Sequence, residues 1–83
     1  MFLLLEEAKV LDIFAGTGAM GLEALSRGAA EAVFIDRTTS DIIRKNAERC
    51  HMSGQVKVIA RDVTPALKLL GGKSFDYIFM DPP

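Results

Sequence analysis

Three glycines and four aspartates carry the chemistry this sequence could perform. Gly16, Gly18 and Gly21 stand in G-x-G-x-x-G spacing within "DIFAGTGAMG". Such a loop turns tightly, lets backbone approach a ligand and packs the following helix close to a strand. The start of that helix offers unpaired N–H groups and a partial positive charge to a carboxylate or phosphate. Asp36 comes 20 residues after Gly16, where a carboxylate can accept hydrogen bonds from both hydroxyls of a ribose and disfavours a 2′-phosphate. The glycines alone also fit a purely structural turn. With strand, helix and acid in order they point to an adenosine-containing cofactor, either a nicotinamide dinucleotide or S-adenosylmethionine.

Three further acids bear on that choice. Asp12 lies inside the first apolar run, and a buried carboxylate is costly unless it is hydrogen-bonded or faces a polar ligand. It could brace the glycine loop through backbone N–H groups, favour a cationic ligand, or merely cap the loop. Asp62 could accept a hydrogen bond from an adenine amino group, or simply favour the start of a short helix. Asp81-Pro82-Pro83 is stiff, because each proline fixes its φ and Pro82 restricts the residue before it. The Asp81 carboxylate and Pro82 carbonyl could accept both N–H bonds of an amine and aim its lone pair at an electrophile; the plain alternative is a turn. An exocyclic base amine is a poor nucleophile, so positioning and electrostatics must supply most of the rate. The methyl of S-adenosylmethionine is already activated by its sulfonium, so no strong base is required.

The elements that must position these groups are legible from the apolar pattern. Val10 to Ala15, Ala32 to Ile35, Val56 to Ala60 and Phe75 to Met80 are predominantly apolar runs, interrupted only by Asp12, Lys57 and Asp76, as in strands covered on both faces. Between them, Ala19 to Arg27 reads as a helix that stops at Gly28. A second begins at the capping-box pattern Thr38-Thr39-Ser40-Asp41 and runs to about Cys50, with Ile42, Ile43, Ala47 and Cys50 as its apolar stripe. A third has Thr64 as cap, Pro65 in its first turn and Gly71-Gly72 at its end. Strand and helix alternate throughout, which argues for a doubly wound α/β unit with a parallel sheet and right-handed crossovers. Ligands then bind beyond the carboxyl ends of the strands, where Gly16 to Gly21, Asp36, Asp62 and Asp81 fall.

"LDIFAGTGAMGLEALSRGA", "VFIDR", "RDV" and "FDYIFMDPP", in that order and spacing, resemble the Rossmann-like S-adenosylmethionine-dependent methyltransferases. The resemblance is nearest to the bacterial family that methylates the guanine N2 amine of small-subunit ribosomal RNA, and it spans Lys9 to Pro83. It implies a partial Rossmann-like sheet of order 3-2-1-4 with three crossover helices, residues 1–83 being the N-terminal cofactor-binding part of a methyltransferase domain. Asp12, Gly16, Thr17 and Gly18 would then line the methionine part of the S-adenosylmethionine site, and Phe14, Ala15 and Gly21 would also belong to the cofactor-binding set. Asp36, beside Arg37, would hold the ribose, and Asp62 with Val63 the adenine. Asp81 and Pro82 would be catalytic, gripping the target amine. Thr17 and Asp36 stand where the family commonly has serine and glutamate. The family's earlier segment, the base-stacking aromatic after the two prolines and the later strands are expected to lie outside these residues, leaving the 83-residue chain inactive alone. A non-catalytic cofactor-binding or structural fragment is the alternative, and a nicotinamide-dependent oxidoreductase a weaker one, because it gives no reason for Asp12 or Asp81.

Composition narrows the partners. A net charge of −1 supplies no basic field for a polyanion, so most of any docking surface for ribosomal RNA or the small subunit lies elsewhere. The single cysteine, Cys50, makes no internal disulfide and suits a reducing compartment, the cytoplasm, as a core thiol rather than a nucleophile. "MFLLLEE" is too short in apolar residues for a membrane span, though Phe2 to Leu5 could cover part of the sheet. Arg37, Arg44, Lys45 and Arg49 read as a solvated face that could also touch RNA, and His51 as a loop or cap residue. No spacing suggests a metal site. One short helix cannot cover four strands, so the fourth strand is expected to expose apolar side chains and promote self-association.

Overall fold

The computed structural model describes residues 6–80. Asp81, Pro82 and Pro83, with the proposed amine grip, and the apolar run from Phe2 to Leu5 lie outside the described residues. The elements run β1 (Lys9–Ile13), α1 (Ala19–Ser26), β2 (Glu31–Ile35), α2 (Ser40–Arg49), a 3-10 turn (Ser53–Gln55), β3 (Val56–Ile59), α3 (Val63–Leu69) and β4 (Tyr77–Met80). The four strands form one parallel sheet in the order β3-β2-β1-β4, the expected Rossmann-like topology.

Alternation along β1 and β2 divides the core in two. Val10, Ala32 and Phe34 face one side, where Leu22, Ala24 and Leu25 of α1 and Ile43 and Ala47 of α2 close over them. Leu11, Ile13, Val33, Ile35 and Ile59 face the other, against Ala66 of α3 and Leu70 just past its end. Two helices therefore cover one face, and a seven-residue helix covers only part of the other. In β4, Ile78 pairs with Leu11 and Met80 with Ile13, so both share the α3 face. Each is 58% exposed, because no described element reaches them.

Helix ends explain where the sequence pattern and the structure part. β1 stops at Ile13 rather than Ala15 because Phe14 turns left-handed, at φ 60°. α2 starts at Ser40, and no side chain caps it as a capping box would. The Asp36 carboxylate takes the Thr38 and Thr39 N–H groups instead, at 3.0 and 3.2 Å. At its far end His51 adopts φ 58°. Its N–H donates to Glu48 and the Met52 N–H to Ala47, a closing motif that the Gly28 and Ala29 N–H groups repeat for α1. Since α2 ends at Arg49, Cys50 leaves the Ile43–Ala47 face and is exposed rather than a core thiol. Ile42, one residue round the helix from Ile43, is also exposed. α3 is capped by Asp62, not Thr64: Asp62 is extended, and its carbonyl accepts the Ala66 N–H at 3.1 Å. Among the described residues no helix is long and apolar enough to cross a membrane.

Candidate cofactor site

A cleft of about 350 Å³ opens beyond the carboxyl ends of β1, β2 and β3. Phe14 and Gly16 come to it from the β1–α1 loop, Ile35, Asp36, Arg37 and Thr38 from the end of β2, and Arg61, Asp62 and Val63 from the end of β3. Of the residues singled out in the sequence, this brings together Phe14, Gly16, Asp36, Arg37, Asp62 and Val63. Ala15, Thr17 and Gly18 complete the loop without lining the cleft. Asp12 and Gly21 lie buried behind it.

Asp36 ties the cleft together. Its Oδ2 accepts the Gly16 N–H at 2.9 Å, while Oδ1 accepts the Thr38 and Thr39 N–H groups. One carboxylate thus joins the glycine loop to the start of α2. Burial raises its pKa, but the Gly16, Thr38 and Thr39 donors outweigh that and hold it below the ordinary carboxylate range. Three amides and the Thr38 hydroxyl, at 3.4 Å, already use about all four acceptor positions, so the expected pair of ribose hydroxyls would have to displace or share these donors.

Asp12 does what a buried carboxylate in this place must. It is 3% exposed, and its Oδ2 accepts the Gly21 N–H in the first turn of α1 at 3.0 Å. Burial pushes its carboxyl up to about 6; the Gly21 bond pulls the other way, and the negative charge of Asp36 adds to the rise. Gly21 itself lies so close to the sheet that a Cβ there would meet the Phe34 ring at 2.3 Å. The third glycine is therefore required by helix–strand packing.

Asp62 pairs with Arg37 across the cleft mouth at 3.4 Å. Both side chains are largely exposed, so the pair contributes little to stability. Three contributors escaped the sequence reading. Arg61 lines the cleft beside Asp62, where the rule of inspecting residues just after each strand could have found it. Asn46 reaches from α2 to the Thr17 carbonyl at 2.9 Å, which no spacing signalled. Asp76 accepts the Lys9 N–H and returns its own N–H to the Lys9 carbonyl, both at 2.8 Å, pinning the start of β4 to β1.

The chain is 36% identical over 83 residues to the ribosomal RNA small subunit methyltransferase D of Haemophilus influenzae, covering 95% of this chain and 43% of that protein. It thus spans less than half the length of that curated relative. A conserved hypothetical protein of Streptococcus pyogenes superposes with a TM-score of 0.85 at 34% identity, over 94% of this chain and 49% of that one. The Trypanosoma brucei PRMT1 enzyme–prozyme complex with AdoHcy superposes at 0.78, over 93% of this chain and 24% of that one. Its 18% identity makes it a likeness of fold alone. The profile of the family described as conserved hypothetical protein 95 matches residues 2–83, and the chain belongs to that family.

Proposed function

We propose that these residues are the cofactor-holding part of an S-adenosylmethionine-dependent RNA methyltransferase that acts on the exocyclic N2 amine of a guanine in small-subunit ribosomal RNA. The observation that carries the reading is the cleft beyond β1, β2 and β3, closed by a glycine loop whose Gly16 amide is held by Asp36. The small-subunit methyltransferase named among the relatives supports the substrate class. When bound, the cofactor supplies a sulfonium methyl group. On this reading Asp36 and Arg37, which line the cleft, would hold the ribose, and Asp62 and Val63 the adenine. The Gly16 to Gly18 backbone, braced from behind by the Asp12–Gly21 bond, would meet the methionine end. Asp81 and the Pro82 carbonyl would accept the two N–H bonds of the amine and direct its lone pair to the methyl. This reading places the protein in the cytoplasm.

Small ribosomal subunits incubated with tritiated S-adenosylmethionine and the longest protein containing this sequence should yield labelled N2-methylguanosine, and Asp81→Ala should abolish it while sparing cofactor binding. Label in N6-methyladenosine or N4-methylcytidine would overturn the choice of base. Retained activity in Asp81→Ala would remove that residue from the mechanism. Coverage of less than half the relative's length favours a second reading for the 83 residues by themselves: they hold the cofactor but transfer no methyl group.

The exposed Tyr77, Ile78 and Met80 side chains of β4 support a further part of the proposal. One edge of β4 pairs with β1, and no described strand pairs with the other. An apolar open edge templates pairing with another chain, so the 83-residue chain should self-associate there. Sedimentation velocity should show mass increasing with concentration; a sharp monomer with protected β4 amides would contradict this.

A further inference from the structure

We propose that Asn46 is a positioning residue, which sets the shape of the cofactor loop from the neighbouring helix α2. The proposal rests on the reading that the Gly16 to Gly18 loop holds an adenosine-bearing sulfonium cofactor.

The loop is strained and needs external support. Between Phe14 and Gly18 the backbone is left-handed three times, at φ 60° for Phe14, 58° for Gly16 and 81° for Gly18. For a bulky side chain such as Phe14 this conformation costs on the order of 1 kcal/mol and persists only where its surroundings over-determine it. The supports can be traced atom by atom. Asp36 takes the Gly16 N–H. The Thr17–Gly18 peptide is held at both ends, its N–H donating to the Ala15 carbonyl at 2.8 Å and its carbonyl accepting from Asn46 Nδ2 at 2.9 Å. Ile43, one turn before Asn46 on α2, packs beside the same peptide: a Cβ on Gly18 would lie 3.2 Å from its Cγ2.

A carbonyl can be gripped only by a donor, so the amide nitrogen of Asn46 must be the atom that faces Thr17. Without it the Thr17–Gly18 peptide keeps a single hydrogen bond and gains freedom to rotate. The adjoining Gly16 backbone, which does line the cleft, would then be held less firmly for a ligand. Asn46 is not buried and fills no core space, so its contribution is orientation rather than packing. Alanine is also the better helix former at that position, which separates the two roles experimentally.

The full 83-residue chain, Asn46→Ala and Asn46→Asp are titrated with S-adenosylhomocysteine by calorimetry, and their amide hydrogen exchange is followed without ligand. Asn46→Ala should weaken the ligand about tenfold, the scale of one net hydrogen bond, while the thermal midpoint stays within a few degrees of the parent. Asn46→Asp should weaken it further, because a carboxylate oxygen then faces the Thr17 carbonyl. Exchange in Asn46→Ala should quicken at Gly18 and not in β1 or β2. Equal affinity with unchanged Gly18 exchange would overturn the proposal, as would faster exchange spread evenly through the sheet. If the parent bound no S-adenosylhomocysteine while Gly18 exchange still quickened in the variant, the cofactor reading would fall and the loop anchor would stand.

Discussion

Replacing Gly21 by alanine is expected to lower the unfolding free energy by about 3 kcal/mol, the upper part of the range for overpacking a core. The added Cβ would sit 2.3 and 2.5 Å from Cε1 and Cζ of Phe34 and 3.3 Å from Asp12 Oδ2. Phe34 is fully buried between α1, α2 and the sheet, so its ring has no free direction in which to yield. Urea denaturation measures the loss. The cause is checked by adding Phe34→Leu, which removes the ring atoms nearest the new methyl. The double variant should recover at least about 1 kcal/mol relative to the sum of the single changes, as coupled neighbours do. Strict additivity would mean that Gly21 is needed for some other reason.

The second large effect concerns Asp12 and pH. Its carboxyl titrates near 6 in the folded chain against 3.8 ordinarily. Between about pH 4 and 6 the folded state therefore holds a proton that the unfolded state has released. Stability falls as pH rises through that window and levels off above it. A displacement of about two pH units corresponds to about 3 kcal/mol, a group only 3% exposed being little screened by solvent. Asp36 has the opposite sign: its pKa is lowered, so its contribution is present above the ordinary carboxylate range and lost as pH falls below it. Asp12→Asn keeps an oxygen for the Gly21 N–H but no charge. The variant should be more stable at pH 7 by up to about 3 kcal/mol and lose the slope between pH 4 and 6 in urea denaturation. An unchanged slope would show that Asp12 does not titrate there. If the same variant binds cofactor more weakly, the buried charge serves the site at the expense of the fold, as perturbed acids in functional sites commonly do.

Much of this was legible in the sequence because the sheet is buried on both faces through β1 and β2. An unbroken apolar run such as Ala32 to Ile35 fits such a place best, and four predominantly apolar runs separated by helical patterns leave few topologies. The chain of acids at strand ends followed from that topology. Side-chain destinations did not follow. Asp36 is spent largely on three backbone amides, Asp62 meets Arg37, and Asn46 grips the Thr17 carbonyl. Each depends on where the partner groups, backbone or side chain, point after the chain has folded, and spacing carries no trace of that. Cys50 shows the same limit at a helix end. The 43-47-50 period placed it on the buried stripe, but α2 closes one residue earlier and the stripe ends with it.

Calorimetric titration of the 83-residue chain with S-adenosylhomocysteine and with NAD tests the central claim most directly, because both ligands carry an adenosine that the cleft could hold. The account predicts one S-adenosylhomocysteine bound per chain, lost or strongly weakened in Asp36→Ala, and no heat from NAD. Binding of NAD, or S-adenosylhomocysteine affinity indifferent to Asp36, would contradict it.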